Sequence, residues 1–232
     1  MSAAATTASV THNEVIKDAI PTLAGNIAAT VASGSDQFSA DDQQFIKFHG
    51  IYQQDDRETR KARDGAKSER QISFMVRTCV PGGKLTAAQL LAAIDMGDEL
   101  GNGTIRLTTR QTIQHHGVVK GDLKAFMQKV HANQMSTLAA CGDVNRNVMA
   151  CPAPYRNNSV YDEIQALSLQ MAEHFKPKTT AYFDIWLKDD EGTETEVTDF
   201  KPVEEPIYGT RYLPRKFKMA IGLPEDNCVD LY

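Results

Sequence analysis

The 232-residue sequence is short of several things. No apolar run is long enough to span a bilayer, which excludes a transmembrane helix. The N-terminal stretch MSAAATTASVTHNE lacks the charged start and apolar centre of a secretory signal and the arginines of an organelle transit peptide. A cytoplasmic protein with a mobile leader is expected. Cysteine is scarce: Cys79, Cys141, Cys151 and Cys228 are scattered, and their spacings fit no iron–sulfur ligand motif. Free thiols in a reducing compartment are expected, with no metal ligand assigned. There is one tryptophan, Trp186, and no internal repeat. Net charge is −5, so a general polyanion-binding role for nucleic acid or a membrane surface is excluded as the leading reading.

What remains is an ordinary soluble composition, 41% hydrophobic and 24% charged, long enough for one or two domains with a sizeable core. Asn13 to Ser33 reads as a helix broken or kinked at Pro21, and residues 34–40 as a linker. The segment from Asp55 to Arg70 is charged and nearly free of apolar residues, an exposed helix or loop. A core pattern begins at Gln71. Ile72, Phe74 and Val76 alternate with Ser73, Met75 and Arg77 as in a half-buried strand. Pro81-Gly82-Gly83 is a turn. Thr86 caps a helix with apolar Leu90, Leu91, Ile94 and Met96, ended by Gly101 and Gly103. A strand through Arg106, a strand from Ile113 to Val119 and a helix from Gly121-Asp122 through Val130 complete a β-α-β-β-α order, an α+β layer. Further on, Ser159–Phe175 has helical spacing, and Ala181–Leu187 and Lys216–Ile221 read as strands. Asp189–Glu205 is strongly acidic and is read as a solvated loop. Trp186 and Tyr182 read as core, and His49 and His131 as structural.

The densest polar pattern is IRLTTRQTIQHHG, Ile105 to Gly117. Read with period 2, Arg106, Thr108, Arg110, Thr112, Gln114 and His116 share one face, unless a turn breaks the register. Such a row of donors backed by Ile105, Leu107 and Ile113 is a surface suited to many negative oxygens. His115 and His116 are adjacent, so on a strand they point apart and make poor joint metal ligands. Lys216 and Lys218 stand two apart, a like-charged pair that is most comfortable around an anion; edge-strand lysines are the competing reading.

Four further stretches, FHGIYQQDD (Phe48–Asp56), SFMVRTCVPGGK (Ser73–Lys84), ACGDVNRNVMACPAP (Ala140–Pro154) and YGTRYLPRKFKMAIGLPEDNCVDL (Tyr208–Leu231), occur in the order found in sirohaem-containing sulfite and nitrite reductases. The chain most resembles the ferredoxin-dependent sulfite reductases, and around FHGIYQQDD it is also similar to the haemoprotein subunit of the NADPH-dependent enzyme, which leaves a flavoprotein as the alternative donor. The resemblance runs from about Phe45 onward. It implies a ferredoxin-like half-domain over residues 70–150, after an N-terminal extension and linker over 1–69. The start of an α/β sirohaem-binding domain would follow over 151–232.

It also implies an N-terminal half of an assimilatory sulfite reductase, with sirohaem and a [4Fe–4S] cluster as cofactors, sulfite as substrate and ferredoxin as donor. The family is roughly twice as long, and its cluster cysteines, C-x5-C plus C-x3-C, lie in a C-terminal half. The expected partner is therefore that half or a separate chain supplying it, and the 232-residue chain alone is expected to be inactive.

By the same resemblance Arg77, Arg146, Lys216 and Lys218 surround the sulfite site. Arg106, Thr108, Arg110, Gln111, Gln114, His116, Asn145, Asn147 and Arg215 form the cradle for the eight sirohaem carboxylates. Fixed arginine donors and a mobile lysine proton suit a compact dianion that gains electrons and protons. Nitrite reduction, or non-catalytic carriage of sirohaem or an oxyanion, are the alternatives. A regulatory nucleic-acid module has no motif to support it.

Overall fold

The computed structural model describes residues 10–20, 22–55, 71–178, 186–188, 192–196 and 205–231. Three short helices open the chain: α1 (His12–Ala19), α2 (Ile27–Ala32) and α3 (Asp42–Phe45). α1 begins at a capping box in which the Thr11 hydroxyl accepts from the Glu14 amide and the Glu14 carboxylate accepts from the Thr11 amide. The break expected near Pro21 is present as the gap between α1 and α2, with Pro21 itself outside the described residues.

The central unit is a four-stranded antiparallel sheet ordered β1-β2-β4-β3, from β1 (Ile51–Asp55), β2 (Ile72–Thr78), β3 (Ile105–Leu107) and β4 (Ile113–Val118). β1 lies ahead of residue 70 and pairs along its whole length with β2. The helix α4 (Ala87–Leu100) fills the crossover from β2 to β3, and α5 (Leu123–Ala132) follows β4. Together they cover one sheet face. The mixed α+β class and the β-α-β-β-α order expected from periodicity are both present.

The core under these helices gathers Phe74, Val76, Val80, Met96, Ile113, Val118, Phe126 and Val130. Phe38 joins it edge-on to Phe74 at 5.6 Å, so the 34–40 stretch is more than a linker. Of the apolar residues Leu90, Leu91, Ile94 and Met96, α4 buries Met96 alone. Ala93, Met96 and Gly97 are buried, while Leu90, Leu91 and Ile94 are exposed. The small residues let the helix come close: a Cβ on Gly97 would meet Ile105 Cγ2 at 3.0 Å. The imidazole of buried His115 reaches the Ala93 carbonyl at 2.8 Å from Nε2. Thr86 caps α4 with Gln89 returning the bond. Thr86→Ala is expected to cost about 1 kcal/mol, read as a lowered urea midpoint at unchanged slope.

A second apolar cluster, with Ile16, Leu23, Phe45, Phe48, Val144 and Tyr212, ties the opening helices to residues 139–144 and to the C-terminal segment. α6 (Ser159–His174) spans the expected residues, and β5 (Trp186–Lys188) pairs with β6 (Glu194–Glu196). Tyr182, residues 56–70 and most of the acidic 189–205 stretch lie outside the described residues. The strand expected over Lys216–Ile221 does not form. In its place are two isolated parallel bridges, Phe217 to Asn145 and Ala220 to Met149, because the neighbour is an irregular segment with no regular ladder to extend. Among the described residues no helix is long and apolar enough to cross a membrane.

Candidate functional site

The sheet face away from α4 and α5 carries the polar row. Arg77 on β2 lies opposite Gln114 on β4, and Gln114 lies opposite Arg106 on β3. With its amide oxygen turned toward β2, Gln114 accepts from Arg77 Nε at 3.1 Å and from Nη2. His116 shares this face and reaches Gln54 of β1 at 3.1 Å. Burial, and then the charges of Arg106 and Arg77, lower the His116 pKa, so neutral imidazole is favoured at neutral pH.

The six-residue alternation expected for this row is interrupted. Residues 108–112 form the hairpin turn, with Gln111 at φ 56°. The Thr108 hydroxyl is consumed inside the turn, 2.6 Å from Thr112 Oγ1 and accepting from the amides of Arg110 and Thr112. Only Arg106, Gln114 and His116 therefore keep the shared face. Arg110 swings across to donate through Nη2 to the carbonyls of Asn147 (2.8 Å) and Met219 (2.9 Å). Its buried Nε has no partner among the described residues.

Arg146 is positioned by its own turn. Nε donates to the Gly142 carbonyl at 2.8 Å and Nη1 to the Ala140 carbonyl at 3.1 Å. Gly142 sits at φ 90°, and a Cβ there would lie 2.8 Å from the Phe48 ring, so both backbone sign and space call for glycine. The segment leaving this turn is stitched to the C-terminal segment by backbone bonds. Leu213 N donates to Asp143 O (3.0 Å), Phe217 N to Val144 O (3.0 Å) and Arg146 N to Phe217 O (2.9 Å). Further along, Met149 N donates to Met219 O (3.1 Å) and Ile221 N to Met149 O (2.8 Å). This ladder brings Arg215, Lys216 and Lys218, all exposed, alongside Arg146.

The charges register one another. The Lys216 pKa is lowered, first by Lys218, then by Arg215 and Arg146, with Arg77 also contributing. Among the described residues three cavities border Arg146, and two of them run through this cationic region. One, of about 170 Å³, is lined by Arg77, Thr108, Arg110, Gln114, Arg146 and Asn147. The other, of about 300 Å³, is lined by Lys17, Lys47, Tyr52, Arg146, Arg215 and Lys216, among others. The structure thus gathers Arg77, Arg146, Arg215 and Lys216 into one cationic region, with Lys218 at its margin.

Other expected cradle residues hold the scaffold. Buried Asn147 accepts from the Val80 amide (2.9 Å) and donates to the carbonyls of Val80 and Arg110, each at 2.9 Å. Gln111 brackets Ala150, donating to its carbonyl at 2.5 Å and accepting from its amide at 3.2 Å. Asn145 is buried, and its side-chain oxygen has no partner among the described residues.

Several neighbours escape a reading of the sequence. Lys17, on α1, is 3% exposed and pairs with Asp143 at 3.3 Å. Tyr52 contacts Arg146, and the buried Cys141 thiol contacts both Tyr52 and Arg77. Burial raises the pKa of Tyr52 and of Cys141, so both stay protonated near neutrality. Tyr52 and Lys47 sit within or next to the FHGIYQQDD stretch, which was the available signal; nothing in sequence marks Lys17. His49 is half-buried with its Nε2 enclosed, and this desolvation pushes its pKa down to about 4 and keeps it neutral.

Residues 68–133 match the nitrite/sulfite reductase ferredoxin-like half domain. The chain is 44% identical over 220 residues to the sulfite reductase [NADPH] hemoprotein beta-component of Staphylococcus haemolyticus, covering 94% of this chain and 37% of that protein. It is 45% identical over 214 residues to the same component from Geobacillus thermodenitrificans, covering 90% of this chain and 36% of that protein. Among solved structures, the NirA protein of Mycobacterium tuberculosis superposes with a TM-score of 0.66 at 21% identity. That superposition covers 92% of this chain and 35% of NirA, a likeness of fold. Spanning a little over a third of these relatives, yet matching the two reductase components along nearly all its own length, the chain belongs to the nitrite and sulfite reductase family.

Proposed function

We propose that this chain supplies the anion-binding half of an assimilatory sulfite reductase, which reduces sulfite to sulfide by six electrons. The observation that carries the reading is the convergence of Arg77, Arg146, Arg215 and Lys216 around two adjoining cavities, with Lys218 depressing the Lys216 pKa. Sulfite is a compact dianion, and grouped cations with unneutralised charge are stabilised by such a guest.

The residues also fit sirohaem, a macrocycle ringed by carboxylates. Arg106 is exposed on the polar face, and Arg110 Nε is a buried donor without an acceptor beside the first cavity. Arg106, Arg110, Gln114, His116 and Arg215 would hold its carboxylates. Thr108, Gln111, Asn145 and Asn147 would support the cradle from behind. When bound, sirohaem supplies an iron for the sulfur and, with a [4Fe–4S] cluster, the path for electrons.

This chain's residues do the rest. Arg77 is oriented by Gln114, and Arg146 by two carbonyls, so their remaining N–H groups present fixed donors to the sulfite oxygens. Lys216, its proton loosened by neighbouring cations, gives one of the two protons with which a departing oxygen leaves as water, and solvent gives the other. Lys218 tunes Lys216 and draws the anion in. Cluster ligands are placed in the remainder of the enzyme, so the 232-residue chain alone is proposed to make no sulfide.

Ferredoxin is the donor proposed from the sequence motifs. The names of the relatives favour a second reading, in which a flavoprotein partner delivers electrons from NADPH. Titrating this chain with sirohaem should give a saturable absorbance change that weakens in Arg106→Ala; no saturation would reject the cradle. In the complete enzyme, sulfite should outpace nitrite at comparable affinity, and faster nitrite turnover would overturn the substrate. Supplying reduced ferredoxin or an NADPH flavoprotein in turn decides the donor.

A further inference from the structure

Three ligand atoms converge away from the cationic cavities. One sulfur each from Cys151 and Cys228 and a carboxylate oxygen of Asp226 all lie within 4.8 Å of one another. None of the three residues lines either cationic cavity. We propose that they bind one thiophilic d10 cation, Zn2+ in chemical type, through two thiolates and one carboxylate oxygen, with solvent in the fourth position.

The donor set selects the metal. Paired cysteine sulfurs favour zinc over magnesium or calcium, which take oxygen ligands. Tetrahedral zinc accepts two sulfurs at about 2.3 Å and an oxygen at about 2.0–2.2 Å, which sets the ligand atoms roughly 3.5–3.8 Å apart, a separation compatible with three atoms that all lie within 4.8 Å of one another. Three protein donors do not complete a four-cysteine cluster, so this site is separate from the iron–sulfur ligands placed in the remainder of the enzyme.

The cluster is also held in place. Cys151 is buried, and its carbonyl accepts from Gln165 Nε2 of α6 at 2.7 Å. The Asp226 carboxylate accepts from the Tyr161 hydroxyl at 2.7 Å through Oδ2 and from the Cys228 amide at 3.0 Å through Oδ1. Such outer partners orient a ligating carboxylate and leave lone pairs for the ion. The turn bearing Asp226 and Cys228 is closed by Asp226 N to Leu223 O (3.1 Å) and by Leu231 N to Asn227 Oδ1 (2.7 Å). Tyr155 packs on Tyr161 with ring centroids 4.2 Å apart. The exposed side is that of Cys228, where an ion and a water can enter.

A cation here would tie the turn after residue 222 to Cys151 and the first turns of α6. That anchors the far end of the segment that carries Lys216 and Lys218. The proposal stands independently of the reaction assigned above.

The test uses the purified protein with its thiols reduced. Equilibrated with Zn2+ and freed of loose metal by gel filtration, it should retain about one zinc per chain, counted separately from iron. Co2+ in place of zinc should give thiolate-to-cobalt absorption in the near ultraviolet and the visible bands of tetrahedral cobalt. Cys228→Ser should lose both signals while keeping its far-ultraviolet circular dichroism, and Cys79→Ser should keep both. Zinc retention no higher than in the Cys228→Ser protein, or cobalt bands unchanged by that substitution, would overturn the site. So would a Cys151–Cys228 disulfide that re-forms after reduction and excludes the metal.

Discussion

Lys216→Met in the complete enzyme should lower kcat for sulfite by about 100-fold or more, the loss expected when one preorganised group facing developing charge is removed. Methionine keeps the length of the side chain and takes away its charge and proton. KM should rise less than kcat falls, because Arg77 and Arg146 still bind the ground-state dianion. The pH profile separates proton donation from simple attraction. Lys216 titrates below an ordinary lysine because Lys218, Arg215 and Arg146 surround it. The rate should therefore fall as pH rises through that lowered value. Lys218→Gln removes the first of those repulsions, so the Lys216 pKa should rise and the alkaline limb should move to higher pH. A Lys216→Met enzyme with unchanged kcat, or a limb that stays put in Lys218→Gln, would remove Lys216 from the proton-donor role.

The second large effect is expected at a residue that touches no substrate. Asn147 satisfies the amide and carbonyl of Val80 and the carbonyl of Arg110, all from within the core. Asn147→Leu fills similar volume and strands two of these groups, the Val80 amide and the Arg110 carbonyl, while the Val80 carbonyl keeps the Gly83 amide at 3.0 Å. At about 1–3 kcal/mol for each orphaned group, the loss is about 2 kcal/mol or more. That is a large fraction of the stability of a typical domain. Urea unfolding should show the midpoint drop. Sirohaem affinity should fall with it, because the Arg110 turn and the 145–149 segment lose the bracket between them. A midpoint within error of the unsubstituted protein would show that water or a rearranged loop replaces the bonds.

Elements with local signals were readable from sequence. The alternation of β2, the Thr86 capping box, the glycines after α4 and the helical spacing of α6 all act within a few residues, and each element forms where expected. β1 was not readable: Tyr52-Gln53-Gln54-Asp55 is polar because the strand lies at the sheet edge, and its pairing with β2 is what makes it a strand. The 216–221 segment shows the opposite error, since alternating lysines look like a strand where the neighbour offers only two bridges. The candidate site divides in the same way. Arg77, Arg146 and Lys216 were grouped by the family resemblance alone, because a single arginine reads as a surface or capping residue and lysines two apart read as an edge strand. Amides such as Asn147 and Gln111 were ambiguous, because an amide serves backbone groups and ligands with the same atoms. Lys17 was invisible, because its burial depends on residues far along the chain.

That burial sets an order of assembly. The Lys17 ammonium, almost fully enclosed, meets the Asp143 carboxylate at 3.3 Å and the Leu213 carbonyl at 3.4 Å. These partners come 126 and 196 residues later in the chain. Closing loops of that length is slow compared with forming the local hairpin and helices of the sheet unit. During synthesis the contacts of Lys17 close only after Asp143 and then Leu213 have emerged, so α1 takes its final place after the local elements of the sheet unit. The second cavity, which Lys17 lines, is therefore completed after the sheet that carries Arg77 is standing.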